Sequence, residues 1–187
     1  MKTLKEIFAE IGHFGEDIGC NDKGGTHSYL ESYEKLLQPY REGCNLLEIG
    51  LALGDSIKLW DLYFENSSIT GVDISVVFTP SKEYKNLVNI IEDDATKESF
   101  VSRLHPVESI KLFDVVIDDG SHMEQDQIKT FELLKGRMRK GGIYIIEDIL
   151  ALDQNAERFK ALHDNCEIID LRHVKGRFDD VLIVYRF

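Results

Sequence analysis

The stretch Asn45-Leu-Leu-Glu-Ile-Gly-Leu-Ala-Leu-Gly-Asp-Ser56 decides the fold. Leu46, Leu47 and Ile49 make a short apolar strand around Glu48, Gly50 and Gly54 let the backbone turn tightly and approach a ligand, and Asp55-Ser56 can cap the helix that follows. A strand ending in an acid, then a glycine turn, then a helix is the architecture of a nucleotide-type cofactor site. About twenty residues on, a second strand, Ser68-Ile-Thr-Gly-Val-Asp-Ile74, ends in Asp73, whose carboxylate can take both hydroxyls of a ribose.

The glycine pattern selects among nucleotides. A dinucleotide site calls for Gly-x-Gly-x-x-Gly, so that a pyrophosphate rests on the helix N-terminus. Here the loop reads Gly50-Leu-Ala-Leu-Gly54, with Glu48 ahead of it and Asp55 where the phosphate would lie. Like charges repel, so the phosphate is disfavoured. S-adenosylmethionine carries an ammonium, a sulfonium and no phosphate, and an acid-rich loop suits it. The glycine loop by itself is equally an ordinary tight turn; Glu48 and Asp73 beside it point to the cofactor.

Outward from this unit, short apolar strands alternate with helical spacing. Strands are expected over 46–49, 68–74, 87–91, 113–117 and 143–146, with helices up to residue 64, over 97–104 and over 123–139. Repeated strand-helix-strand implies an α/β fold with a doubly wound, mostly parallel sheet covered on both faces. The tail differs. After a helix near 155–163, the strands 166–171 and 181–186 have only the polar loop 175–180 between them, which predicts a C-terminal antiparallel hairpin. Before the core come an amphipathic helix bearing Leu4, Ile7, Phe8 and Ile11, a polar loop 19–26, and a helix with Tyr29, Leu30, Tyr33, Leu36 and Leu37 on one side, closed by Pro39. Trp60, Tyr63 and Phe64 recur at helical spacing and read as core.

Ligands of such a sheet sit beyond the carboxyl ends of its strands, and a second acid cluster lies there. The strand 113–117 runs into Asp118-Asp-Gly-Ser-His122, and the strand 143–146 into Glu147-Asp148. Four converging carboxylates repel unless protonated or neutralised, and a hard cation such as magnesium is their natural partner. His122 follows Asp119 in the same turn and can take the proton of a substrate hydroxyl. The plain alternative is a turn with solvated acids and a hydrogen-bonded histidine. Asp94, in Glu92-Asp-Asp-Ala-Thr96, either meets an adenine amino group or caps the next helix.

With 187 residues the chain suits a single domain, 1–44 forming N-terminal helices with a cofactor-covering loop and 45–187 the Rossmann-like core. No signal peptide or membrane-length apolar run is evident, so a cytoplasmic protein with no membrane partner is expected. A net charge of -12 argues against a nucleic-acid partner, because phosphate binding needs a basic surface. Cys20, Cys44 and Cys166 are widely spaced, signalling neither a disulfide framework nor a zinc knuckle.

Taken together, these residues resemble the class I S-adenosylmethionine-dependent methyltransferases. Within that family the chain is most similar to the metal-dependent O-methyltransferases that modify sugar hydroxyls of macrolides and related glycosides. The similarity runs through Asp22-Lys-Gly-Gly-Thr-His-Ser-Tyr29, Leu47-Glu-Ile-Gly50, Gly71-Val-Asp-Ile74, Ile117-Asp-Asp-Gly-Ser-His122, Gly141-Gly-Ile-Tyr-Ile-Ile-Glu-Asp148 and Asp179-Asp-Val-Leu-Ile183. It implies a seven-stranded sheet with the last strand antiparallel. It further implies Glu48, Gly50 and Gly54 along the methionine part of the cofactor, Asp73 on the ribose and Asp94 by the adenine. Magnesium would lie on Asp119, Glu147 and Asp148, with His122 as base and Asp118 hydrogen-bonded to the cofactor, although Asp118 and Asp119 can exchange roles. Lys23, His27 and Tyr29 match a loop that closes over cofactor or substrate. Two departures stand out. Glu92 to Asp94 replaces a glycine before the adenine acid, and the macrolide enzymes' extra N-terminal domain has no counterpart here.

The expected activity is methyl transfer from S-adenosylmethionine, with magnesium, to a hydroxyl of a small sugar or glycoside. A homo-oligomer is compatible with this. A nicotinamide-dependent oxidoreductase and a non-catalytic cofactor-binding or scaffold subunit are the rivals.

Overall fold

The computed structural model describes residues 1–11, 22–104 and 112–187. Cys20, like the first part of the polar loop 19–26, lies outside the described residues.

The core is one seven-stranded sheet in the order β3-β2-β1-β4-β5-β7-β6. Its strands are β1 (Asn45–Ile49), β2 (Ser68–Asp73), β3 (Leu87–Glu92), β4 (Phe113–Asp118), β5 (Met138–Ile146), β6 (Cys166–Asp170) and β7 (Val181–Arg186). The first five are parallel, and β7 pairs antiparallel with both β5 and β6. The chain leaves β1 toward β2 and β3 on one side and returns to β4 on the other. The carboxyl ends of β1 and β4 therefore flank the point where the winding reverses, which is where such sheets bind ligands.

Alternation along the strands builds two cores, because successive side chains point to opposite faces. Leu46, Ile69, Val115, Ile117, Ile143 and Ile145 pack with α1 (Leu4–Ile11), α2 (Leu30–Leu37) and α3 (Asp55–Tyr63). On the other face Leu47, Val72, Val116, Tyr144 and Ile146 pack with α4 (Glu98–Arg103), α5 (Glu124–Leu134) and α6 (Leu152–Lys160). Trp60, Tyr63 and Phe64 are fully buried in the first core, as their spacing predicts.

Three boundaries differ from the sequence reading. The expected helix 123–139 stops at Leu134, a 3-10 turn covers Lys135–Arg137, and β5 begins at Met138 rather than at 143. The polar run Arg139-Lys-Gly-Gly142 conceals that start, since its exposed residues pass through a register irregularity before Val115 meets Ile143. The helix α6 begins at Leu152 rather than at 155. Between β6 and β7 the chain makes a one-turn helix, α7 (Arg172–Lys175), where only a loop is expected.

At the helix α3 the cap also differs. Its N-cap is Gly54, in the left-handed conformation and without a side-chain cap bond, and the Ser56 hydroxyl donates instead to Glu48 Oε2 at 2.8 Å.

Candidate active site

A cavity of about 660 Å³ opens beyond the ends of β1, β2, β3 and β4, within the size range of small-molecule sites, about 300–1,000 Å³. Its walls are acidic. Asp22, Asp55, Asp73, Asp94, Asp118 and Asp126 all face it, and no lysine or arginine does among the described residues.

The glycine turn shapes one wall. Gly50 has φ +83°, and a Cβ there would lie 1.8 Å from the carbonyl oxygen of Asp119. Only glycine lets the β1–α3 turn lie against the end of β4. Gly54, also at φ +83°, packs against the Phe78 ring and does not itself line the cavity. Asp73 Oδ2 accepts hydrogen bonds from the Leu51 and Ala52 amides at 2.7 and 3.2 Å, and Oδ1 accepts from Ser75 N–H at 2.9 Å. The carboxylate expected at a ribose thus also holds the glycine turn. Asp94 lines the cavity, and its Oδ1 accepts from the Thr96 amide and hydroxyl at 2.9 and 2.6 Å. It does not cap α4, whose N-cap is Lys97.

The second acid cluster forms at the ends of β4 and β5. His122 stands between two carboxylates, with Nε2 3.6 Å from Asp119 Oδ1 and Nδ1 3.6 Å from Asp148 Oδ2. Ligand atoms of Asp119, His122 and Asp148 all lie within 4.8 Å of one another. Two carboxylates and an imidazole are a donor set that fits a divalent cation; Asp119 and His122 line the cavity and Asp148 is buried behind them. The Asp119 carboxylate raises the His122 pKa above its ordinary value. Burial pushes Asp148 up, against the Tyr29 hydroxyl that donates to it. Burial likewise pushes Asp118 up to about 7, opposed by a hydrogen bond from the Tyr144 hydroxyl to its Oδ2 at 3.0 Å.

Glu147 is not gathered with these donors. Its Oε1 accepts from the Lys23 ammonium at 2.6 Å and from the Tyr33 hydroxyl, and the side chain is buried. Lys23 also meets Asp119 Oδ2 at 2.8 Å and lies 3.5 Å from Glu48 Oε1. Burial works against the ammonium, yet the three carboxylates hold its pKa well above the ordinary lysine value. Burial, with repulsion from Asp119, raises both Glu48 and Glu147, and Lys23 opposes it at each. Lys23, Tyr29 and Glu48 therefore lie behind the cavity wall: Lys23 ties the acids of three strands together, and Tyr29 donates to Asp148 Oδ1 at 2.6 Å.

Sequence reasoning did not single out Asp22, Asp180 or the Tyr33 hydroxyl. The signal available for them was composition, a loop dense in acid, lysine, histidine and tyrosine over 22–33 and an Asp179-Asp180 pair just before β7.

No protein-family model matches the sequence. The chain is 31% identical over 137 residues to 8-demethyl-8-alpha-L-rhamnosyl tetracenomycin-C 2'-O-methyltransferase of Streptomyces olivaceus, which covers 69% of this chain and 35% of that protein. It is 32% identical over 133 residues to L-olivosyl-oleandolide 3-O-methyltransferase of Streptomyces antibioticus, covering 67% and 33%. The chain thus spans about a third of the length of the curated relatives it matches. Among solved structures, the MycE methyltransferase of the mycinamycin biosynthetic pathway, in complex with Mg, SAH and mycinamycin VI, superposes with a TM-score of 0.68 at 21% identity, over 99% of this chain and 53% of that one. An O-methyltransferase from Bacillus cereus in complex with SAH gives 0.60 at 14% identity, over 98% and 90%. With the strand order, the acidic cavity and these sequence relatives in agreement, the chain belongs to the class I S-adenosylmethionine-dependent methyltransferases.

Proposed function

We propose that the protein transfers a methyl group from S-adenosylmethionine to a hydroxyl of a sugar or glycosylated small molecule, with a divalent cation held by Asp119 and Asp148 and His122 beside them as the base. The observation that carries this reading is the acidic cavity lined by His122, which is held between two carboxylates. A wall rich in aspartates, with no lysine or arginine among the described residues, suits a cationic cofactor and repels the pyrophosphate of a nicotinamide dinucleotide. The sequence relatives are named for methylation of rhamnosyl, olivosyl and mycinamicin sugars, which supports a glycoside acceptor.

When bound, the cofactor supplies the electrophilic methyl and the cation the charge that stabilises an alkoxide. The rest falls to the chain's own residues. Asp73 and Asp94 line the cavity and would take the ribose and the adenine, and Gly50 would allow close backbone approach. Lys23 neutralises part of the buried acid cluster and fixes Glu147 and Glu48. The His122 imidazole, made more basic by Asp119, removes the acceptor's proton. Orientation of the hydroxyl toward the methyl and charge stabilisation account for most of the rate. In this reading residues 1–187 work as one unit, with 1–44 covering the acid cluster.

Calorimetric titration with S-adenosylhomocysteine and, separately, with NAD tests it. Micromolar binding of the first, about -8 kcal/mol, with no heat from the second is expected, together with labelled methyl transfer to deoxysugar glycosides. Binding of NAD alone, or of neither, overturns the reading. The His122→Ala variant should keep its affinity for S-adenosylhomocysteine while turnover falls roughly a hundredfold; unchanged turnover removes His122 as the base.

A further inference from the structure

Asp148 sits just past β5 with φ +56°, a left-handed backbone that costs a non-glycine residue about 1 kcal/mol or more. Its two oxygens face different groups. Oδ2 is the one beside His122 Nδ1 on the cavity side, whereas Oδ1 lies 3.4 Å from Nδ1 of His27. The same nitrogen is 3.4 Å from Oδ1 of Asp180. His27 is 3% exposed and Asp180 fully buried. Among the described residues His27 Nδ1 and Asp180 Oδ2 make no hydrogen bond, and Asp180 Oδ1 accepts from the Ser28 amide at 3.1 Å. The nearby cations are engaged elsewhere: Lys23 on Asp119 and Glu147, Arg177 on Asp179, and Lys175 on the carbonyls of Gly24, Gly25 and His27. From the same loop, Asp22 brings a carboxylate within 4.8 Å of the ligand atoms of His27 and Asp148.

Buried carboxylates without a counter-charge, and a buried imidazole nitrogen without a hydrogen bond, are expensive. An imidazole nitrogen converging with carboxylates from separate segments is also the donor set of a divalent transition ion. We propose that Asp22, His27 and Asp148 form a second divalent-cation site beside the Asp119–His122–Asp148 group, with Asp148 bridging the two through its opposite oxygens. Asp180 supplies further negative charge next to the His27 ligand. The nitrogen donor favours manganese, cobalt or zinc over calcium at this position. The left-handed Asp148 has a physical reason in this arrangement, since one carboxylate must serve both the loop 22–29 and the cavity.

The inference goes beyond methyl transfer and rests on that reading only for the companion cation at Asp119. Manganese is titrated into chelator-stripped protein without cofactor or acceptor and followed by electron paramagnetic resonance. Two manganese ions per chain with a spin-coupled spectrum are expected. Asp22→Asn and His27→Ala should each leave one uncoupled ion, Asp119→Asn should likewise leave one, and Asp148→Asn should weaken both. Asp22 is exposed, so its variant tests the site without disturbing the core. A wild-type ion count that neither Asp22→Asn nor His27→Ala reduces overturns the proposal, whereas a single ion lost in both variants overturns only the companion cation at Asp119. Ion count is read without turnover, so a failure of the methyl-transfer reading and a failure of this one are told apart.

Discussion

A Cβ at Gly50 would collide with the backbone of Asp119 and Gly120, so alanine there has to separate the β1–α3 turn from the end of β4. The left-handed φ adds its own penalty. Gly50→Ala should destabilise the protein by about 3 kcal/mol or more, whereas Gly136→Ala, with nothing within 4 Å of the new Cβ, should stay within about 1 kcal/mol; urea midpoints measure both. Asp118 gives a pH dependence. Its pKa is raised from 3.8 to about 7 by burial, so the native state holds a proton that the unfolded chain releases. Stability from this group is full below the ordinary carboxylate pKa and is lost as pH rises from about 4 to about 7. Asp118→Asn keeps an acceptor for Tyr144 and should flatten that slope, leaving the variant more stable than wild type at pH 8 by about 1 kcal/mol or more in chelator; parallel curves would show that Asp118 is ionised throughout. Residues such as Asp73, Asp119, His122 and Asp148 were legible because strand ends announce them. The Lys23 contacts were not, since they join residues 96 and 124 positions apart and no local pattern encodes them.

At the level of elements, the strands and helices of the core follow from periodicity, and β1, β2 and β4 begin and end within a residue of their apolar runs. Reading failed where polar residues lie inside an element, as in the first half of β5, and where a single turn of helix interrupts a loop, as at α7. That short helix has a consequence. It presents Lys175, whose ammonium donates to the carbonyls of Gly24, Gly25 and His27 at 2.9, 2.9 and 2.7 Å. A point charge on three carbonyls fixes the loop 22–29, which in turn places Lys23, His27 and Tyr29 on the acids. Lys175→Met should therefore accelerate amide exchange over 24–29 by roughly tenfold or more while the central strands keep their protection. Global stability should change by less than about 1 kcal/mol, because Lys175 is exposed. Unchanged exchange in the loop would show that its own internal bonds, His27 N–H to Asp22 C=O and Tyr29 N–H to Lys23 C=O, suffice.

Over the whole molecule, the winding of the sheet decides where charge accumulates. Reversal of direction between β1 and β4 brings the acids that follow β1, β2, β4 and β5 to one end of the sheet, and a chain of net charge -12 has few cations to spare for them. Lys23 is fully buried and meets three of these carboxylates, leaving Asp148 and the other oxygen of Asp119 to His122. Such a cluster is a site of self-repulsion in the ligand-free protein, and a cation that binds only the folded state relieves it. Magnesium at about a hundred times its dissociation constant should add about 2.7 kcal/mol of stability. In a domain of this size each kcal/mol moves the melting temperature by about 2–4 °C, so an increase of roughly 5–10 °C over a chelator control is expected. Sodium chloride at matched ionic strength screens exposed pairs only and should give a small fraction of that shift. Asp148→Asn should raise the melting temperature in chelator, because burial disfavours its charge, and should weaken the response to magnesium. A wild-type response no larger than that to sodium chloride would mean that Lys23 and protonation together already balance the acids, and the cation would then have no place in the resting protein.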